Sequence, residues 1–513
     1  MDPERKLRHE EFTVQVGASS VLEVILLCIA PFILLGIRNN LLIFAALRMQ
    51  NFYTVSLLDF SCIILPVIFL LTVASDHASE LILVCLLSYV VSTLVLLVFN
   101  RGKQLMKFVQ PQTTVNLFYG QDLICDTLIL TCIMILSIDF PICPRRLAKT
   151  PDYGLGLMDT GTGCFILLSG LSASRFLLVP LEKSRLLRSL YRAVLPITTL
   201  GLLRPIAISS LGYQHITSEY GTHWNFFLTI GFCRVVSTLF LAFVSSLSWF
   251  KSGSLGTQAA FSVSFGCAFL LCSCYLDRTL KPHVIGSTQW PTQEARAESL
   301  IYANLEGLTS LAGYCAIFFL AFSFYAVLRK WSLPVGREPS KLQVLFSRKL
   351  FFFLLATTVI TGFAFRSVGP KNVSRRFANP EYVLLICFIC SATAFCSWAV
   401  HALFCLLKQL TGYVDCPPSA LFYALSSHGL LYFLVSNLLT GFVNISFDTV
   451  SFISPNSELN HTTGKYSCDL ISSCIQLSIL VLYTAFSMGV VVVLAQRSLP
   501  SKQWWYSCSR HSE

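Results

Sequence analysis

The densest set of groups able to do chemistry lies between Asp139 and Gly163, in the stretch DFPICPRRLAKTPDYGLGLMDTGTG. Asp139, Arg145, Arg146, Lys149, Asp152 and Asp159 crowd into it, and Pro141, Pro144 and Pro151 stiffen it. Gly154, Gly156, Gly161 and Gly163 follow, removing side chains where another backbone or a ligand can come close. Opposite charges at this density suit a reaction that moves a proton and stabilises developing charge. The competing reading is an anchor at a membrane surface, with Arg and Lys reaching for phosphate head groups. Asp139 closes an apolar run, LTCIMILSI. A carboxylate there meets the unfavourable end of a helix dipole, and partial desolvation also works against its charge. Lys149, across a proline-bent loop, is near enough in sequence to offset both.

The elements that position this stretch are membrane helices. Of 513 residues, 54% are hydrophobic and 12% charged, about half the charged share of a soluble domain. Runs of about twenty apolar residues predict thirteen spans, centred near residues 29, 65, 90, 130, 165, 200, 237, 267, 315, 358, 395, 430 and 482. No connection between them has room for a soluble domain. The expectation is an all-α polytopic membrane protein, a single domain over residues 1–513, with a short N-terminal segment (1–20) and a C-terminal tail (497–513). The first span follows MDPERKLRHEEF without an obvious cleavage site and reads as a retained helix. The net charge of +11 is spread over many loops without a long basic run, which fits a phosphate-rich bilayer surface and argues against nucleic acid. The cysteines sit mostly inside apolar runs, as small hydrophobes, and no His/Cys spacing suggests a metal.

Two signals orient the chain. Lys and Arg are richer in the connections on the C-terminal side, notably Arg329, Lys330, Arg337, Lys341, Arg348 and Lys349, so that side is expected to be cytoplasmic. The glycosylation sequons at Asn372 and Asn460 fall on the other side, as lumenal sites must, whereas Asn444 is too close to its helix end. The Asp139–Asp152 loop is then lumenal.

Elsewhere, Glu23 and Asp59 read as buried structural carboxyls with hydroxyl partners. Arg204 and Arg234 lie well inside apolar runs, where an arginine must be paired or face a polar cavity. The partner is either a carboxylate such as Asp126 or Asp159, or a phosphate of a ligand. Asn437 and Asn444 near a helix end can join helices by hydrogen bonds or bind a sugar.

The charged stretch resembles the signature of the glucosaminyl-phosphatidylinositol acyltransferase family, which acylates inositol during GPI-anchor assembly in the endoplasmic reticulum. That family carries Asp-Phe-Pro, Pro-Arg-Arg, Ala-Lys-Thr, a Tyr-Gly pair and Met-Asp, here Asp139–Pro141, Pro144–Arg146, Ala148–Thr150, Tyr153–Gly154 and Met158–Asp159. GYQHITSEYGTHWNFF is similar to a lumenal family segment at Gly212–Gln214, Ser218–Gly221 and His223–Asn225. Glu306, Gly307, Ser310, Gly313 and Tyr314 match another, with Leu305 and Ala312 in place of its Arg and Pro. Asn437, Thr440, Gly441 and Asn444 match its Asn-x-x-Thr-Gly-x-x-Asn.

The resemblance implies transfer of a fatty acyl group, typically palmitoyl, from acyl-coenzyme A to the inositol 2-hydroxyl of glucosaminyl-phosphatidylinositol. Acyl-coenzyme A is a co-substrate, and no cofactor is permanently bound. Lys149 is expected at the reacting centre, as base or as cation on the thioester oxyanion; Asp139 orients the aminosugar head or takes the hydroxyl proton. Arg145 and Arg146 are expected on the lipid phosphodiester, with Asp159, His223, Asn225 and Asn437 as further substrate contacts. Gly154, Gly163, Arg204 and Arg234 are expected around a chamber for the acyl chain and coenzyme A. Two other readings compete: a membrane-bound O-acyltransferase using an intramembrane histidine, His401 or His428, and a secondary transporter lined by polar groups such as Asp126, Arg204 and Arg234.

Overall fold

The computed structural model describes residues 8, 12, 19–45, 49, 51–100, 118–173, 183–211, 217–246, 255–284, 292–332, 348–369, 372–412, 417–453, 464–466 and 468–498. Among these residues every regular element is a helix, and eleven helices are long and apolar enough to cross a bilayer. The chain is an all-α, multi-pass membrane protein. The expected thirteen spans differ in two places. Leu157–Ala173 is apolar but has only 17 residues. Lys183–Leu211 is one continuous helix whose first turns carry Lys183, Arg185, Arg188 and Arg192, which lowers its hydropathy.

The chain divides into two compact units whose segments alternate along the sequence. One comprises residues 1–18, 149–330 and 359–388, the other 19–148, 331–358 and 389–513. The boundary between Ala148 and Lys149 cuts through the charged stretch, so Asp139 belongs to one unit and Lys149 to the other.

In the Asp139 unit, Val21–Phe44 starts at Ser20, whose hydroxyl accepts the Glu23 amide at 3.1 Å and so pairs a donor that the first turn leaves open. This helix packs along Ala78–Phe99. In lipid, helices gain little by hiding apolar surface from one another, so close approach and interhelical hydrogen bonds hold them together. Asn40 Nδ2 donates to Ser92 Oγ at 2.8 Å and Thr93 Oγ1 at 2.9 Å across this pair. Phe118–Ser137, Ala420–Ser427, Gly429–Ser446 and Leu470–Ser498 form a second packed group in the same unit.

A buried ion pair joins the two groups. Arg38 Nε lies 2.8 Å from Asp59 Oδ1, and both side chains are fully buried. Arg38 Nη1 also donates to the Pro417 carbonyl at 2.8 Å, while Asp59 Oδ2 accepts from Ser419 Oγ at 2.8 Å and Leu421 N at 3.1 Å. The structural role expected of Asp59 is therefore met, with Ser419 as the hydroxyl and Arg38 as counter-charge.

In the Lys149 unit, Phe226–Ser246 packs against Lys183–Leu211 and Leu157–Ala173. Phe240, Phe261, Phe265, Phe269 and Phe319 interlock beside them, the closest centroids 4.1 Å apart. Gly313, near the start of Leu305–Ser332, is in contact with the backbone of Ala378, whose carbonyl occupies the space a Cβ would need.

Replacing Asp59 by alanine strands a buried guanidinium. The expected loss is about 3–5 kcal/mol, read as a lowered thermal midpoint of the purified protein, with the paired change Arg38→Met/Asp59→Leu recovering most of it.

Candidate active site

The Lys149 unit contains a closed circuit of charges built around the N-terminus of Leu157–Ala173. Asp159, in that first turn, is completely buried. Its Oδ2 accepts from Thr150 N at 3.1 Å, Thr150 Oγ1 at 3.0 Å and Gly156 N at 2.9 Å, folding the preceding loop back onto the helix. Its Oδ1 lies 3.0 Å from Arg375 Nε. Arg375 Nη2 is 3.2 Å from Glu219 Oε1, and the same oxygen is 2.8 Å from Lys149 Nζ. Arg375 Nη1 donates to Tyr220 OH at 3.3 Å, which shares a hydrogen bond of 3.1 Å with Thr162 Oγ1. Thr150 adjoins Lys149 in sequence, so backbone and side chain of that lysine segment both return to Arg375.

Burial pushes the Glu219 carboxyl up, but Lys149, Arg375 and Arg204 outweigh it and hold it down at about 2. Burial works against the Arg375 charge, and Glu219, Tyr220 and Asp159 more than compensate, raising it well above the usual arginine range.

Arg375 and the adjacent Arg376 belong to a connection that sequence reasoning used only for its sequon. Ser374 N and Tyr382 N both donate to Asn379 Oδ1, at 3.0 and 3.2 Å, and Ser374 Oγ donates to the Asp152 carbonyl at 2.7 Å. Tyr314 OH donates to the Arg375 carbonyl at 3.3 Å, and Ala378 takes φ +44°, a backbone conformation costly for a residue with a Cβ. The family-like pair Gly313–Tyr314 thus serves to seat this arginine loop. Arg376 Nη1 is 2.6 Å from Asp152 Oδ1, and its Nη2 is 3.1 Å from buried Glu306, which Arg296 also pairs with. The available signal was a second Arg-Arg step between apolar helices, like Arg145–Arg146.

Gly154 adopts φ +132°, and its amide donates to the Val373 carbonyl at 2.9 Å, so the glycine answers a backbone requirement. Gly163 is buried against Tyr382 and Ile386. Its amide donates to Tyr382 OH at 3.0 Å, and a Cβ would stand 2.5 Å from Ile386 Cγ1. That makes a helix contact where a chamber wall was expected.

In the Asp139 unit, Asp139 is half-buried and its Oδ2 accepts from Asn444 Nδ2 at 2.7 Å. Thr440, one turn earlier on Gly429–Ser446, donates through Oγ1 to Tyr483 OH at 3.3 Å, and Tyr483 OH donates to the Cys132 carbonyl at 2.9 Å. Asn437, expected to touch substrate, is exposed and donates to the Phe433 carbonyl of its own helix at 2.7 Å. The residue that reaches Asp139 is Asn444, because its side chain emerges on the Tyr483 face.

Arg145 is 2% exposed; its amide donates to the Gly464 carbonyl and its Nη1 to the Ile138 carbonyl at 2.7 Å. Burial lowers its pKa, with Asp139 opposing. Arg146 Nη2 is 3.0 Å from Glu23 Oε1 and Nη1 is 3.6 Å from Asp76 Oδ1, with Nη2 also donating to the Ser75 carbonyl at 2.8 Å. Lys465 joins Asp76 at 3.3 Å. Both arginines expected on a phosphodiester therefore brace their own loop, since burial demands internal partners for them.

The other candidates are dispersed. His223 is exposed, with its amide donating to Asn304 Oδ1 at 2.8 Å. Asn225 is buried as a helix cap, its Oδ1 accepting Phe227 N at 3.1 Å and its Nδ2 donating to the Gly201 carbonyl at 2.7 Å. Arg204, expected to need a buried partner, is exposed. Arg234 Nη1 donates to the Ser169 carbonyl at 2.7 Å and Ser169 Oγ at 2.9 Å, while Asp159, considered for it, is engaged by Arg375. His401 Nε2 is 2.6 Å from Asp122 Oδ2, which also accepts from Ser397 Oγ. His428 stands at the junction between Ala420–Ser427 and Gly429–Ser446. Asn372 is exposed and Asn460 lies outside the described residues. Among the described residues no group of His, Cys, Asp and Glu could hold a metal ion.

The sequence model of the GWT1 family matches residues 5–459. The chain is similar to a GPI-anchored wall transfer protein 1 of Aspergillus fumigatus, 28% identical over 88% of this chain and 93% of the relative. Proteins of the same name from Candida glabrata and Saccharomyces cerevisiae are 32% and 31% identical, each over 63% of this chain and 67% and 66% of their own lengths.

The depressed Glu219 pKa sets a pH dependence. A carboxyl held below its unfolded value stabilises the fold above that value, and the contribution fades as pH falls from about 4.5 towards about 2. Thermal midpoints measured down this range should fall for the wild type, and the advantage over Glu219→Gln should shrink on acidification.

Proposed function

The chain belongs to the GWT1 family, and on that footing we propose that it transfers a fatty acyl group, palmitoyl, from acyl-coenzyme A to the inositol 2-hydroxyl of glucosaminyl-phosphatidylinositol during GPI-anchor assembly. The name shared by its relatives, GPI-anchored wall transfer protein 1, supports a part in GPI biosynthesis. The observation that carries the finer reading is the circuit Lys149–Glu219–Arg375–Asp159. It gathers residues of two separate family-like motifs and leaves the Lys149 side chain 41% exposed.

In this reading the 2-hydroxyl oxygen attacks the thioester carbonyl carbon. A C–O bond forms, the C–S bond breaks, and coenzyme A leaves as a thiolate that takes up a proton. Asp139, oriented by Asn444, receives the hydroxyl proton or holds the cationic aminosugar. Lys149 acts at the reacting centre, as cation on the oxyanion or as base. Arg204, on an exposed position, meets a phosphate of the lipid or of coenzyme A. The protein resides in the endoplasmic reticulum membrane with its N-terminus and reacting loops lumenal and its C-terminus cytoplasmic, and Asn372 and Asn460 carry glycan. Its partners are the inositol lipid, acyl-coenzyme A and the bilayer.

Purified protein supplied with palmitoyl-coenzyme A should release coenzyme A only when glucosaminyl-phosphatidylinositol is present. Lys149→Ala and Asp139→Ala should abolish this at near-native thermal stability, while His428→Ala retains it. Full activity in either of the first two variants would refute the assignment. A tag after Glu513 should be reached by antibody when only the plasma membrane is permeabilised, and protection of that tag would reverse the orientation.

A further inference from the structure

We propose that Glu219 is a positioning residue which, held by Arg375, presents Lys149 as a fixed cation, so that Lys149 acts on the oxyanion and not as the proton acceptor. The inference rests on the acyl-transfer reading of the same site and removes an alternative that reading leaves open.

Three observations carry it. Lys149 Nζ and Arg375 Nη2 converge on one oxygen, Glu219 Oε1, at 2.8 and 3.2 Å. The Arg375 side chain is 4% exposed and that of Glu219 20%, whereas Lys149 is 41% exposed. The carboxylate is thus sheltered and the ammonium it holds is open on its other side. A long flexible side chain at the surface gains little from an ordinary ion pair. Here the acid is itself immobilised, so the geometry of the lysine is set by a group that cannot drift.

The segment bearing Glu219 is also anchored. Gly221 at φ +110° is packed against Ala303 and Asn304, Thr222 N donates to the Ala303 carbonyl at 2.7 Å, and the amides of His223 and Trp224 both donate to Asn304 Oδ1, at 2.8 and 2.9 Å. On the other side of the circuit, Thr150 is tied to Asp159, which Arg375 also binds. Two cations, Lys149 and Arg375, and two carboxylates, Glu219 and Asp159, balance each other. An arriving oxyanion then supplies the second anionic partner of Lys149 without requiring the lysine to release a proton. The 2-hydroxyl proton passes to a base other than Lys149 as the C–O bond forms and the C–S bond breaks. The departing coenzyme A thiolate is protonated from water.

The test uses the full-length protein in lipid nanodiscs with palmitoyl-coenzyme A and glucosaminyl-phosphatidylinositol. Glu219→Gln keeps the shape and removes the charge; kcat should fall about tenfold or more, with both KM values close to wild type in protein that stays folded at the assay temperature despite a lowered thermal midpoint. Lys149→Arg keeps a cation that stays protonated, so it should retain measurable turnover where Lys149→Gln retains none. An unchanged kcat in folded Glu219→Gln, or a Lys149→Arg as inactive as Lys149→Gln, overturns the proposal.

A second readout needs no activity. Brief acetylation with acetic anhydride is slowed at an amine that a carboxylate holds in place, as Glu219 holds Lys149, and the rate at Lys149 relative to exposed Lys349 should rise several-fold in Glu219→Gln, or in Glu219→Asp should the first variant not fold. No rise overturns the pairing. Wild-type protein that transfers no acyl group, yet shows the rise, removes the acyl-transfer reading while leaving the pairing intact.

Discussion

Arg375 is a guanidinium almost entirely removed from solvent, and a buried charge persists only where opposite charge and hydrogen bonds replace the lost water. That single requirement organises the Lys149 unit. Asp159 and Glu219 supply the charge, Tyr220 a further acceptor, and each of them draws in its own segment: the Thr150–Gly156 loop, the Thr217–Tyr220 turn and the start of Leu157–Ala173. Remove the arginine and two carboxylates face each other without a cation between them. The left-handed backbone at Ala378 and the missing side chain at Gly313 are local costs of seating the loop that carries it.

The Asp139 unit obeys the same rule with different residues. Arg38 and Asp59 neutralise one another in a fully buried pair that also gathers Pro417, Ser419 and Leu421. Arg146 is answered by Glu23 and Asp76. Charges in an apolar bundle are therefore mostly structural; Lys149 differs in being exposed at one oxygen of Glu219, while half-buried Asp139 meets the amide of Asn444. Resemblance drew attention to both, but their exposure and their partners are properties of the folded chain.

Fold class was legible because it depends on composition and on run length alone. A 54% hydrophobic chain with 12% charge can satisfy its backbone in a bilayer only through helices or a closed barrel, and apolar runs near helix-spanning length select helices. The spans at 165 and 200 were the places where that logic weakened, one by shortness and the other by four basic residues in its first turns. At the site, the Asp139–Gly163 stretch announced itself by charge density and motif spacing, whereas the Ser-Glu-Tyr-Gly segment matched as a motif without Glu219 standing out from it.

Pairing was not legible. Arg375 is more than two hundred residues from Asp159 and Asn444 some three hundred from Asp139, and nothing local to either sequence names its partner. Asn437 and Asn444 are equivalent on paper; a helix rotation decides that one bonds its own backbone while the other meets Asp139. Arg145 and Arg146 look like phosphate ligands until burial and Glu23 claim them. By itself the sequence determined that this is a helical membrane protein with a charge-dense, family-like stretch at residues 139–163, because hydropathy, charge and motif order are carried along the chain. Which charges neutralise one another, and which stay exposed, was decided only by tertiary structure, because electrostatic energy depends on distance and burial in space.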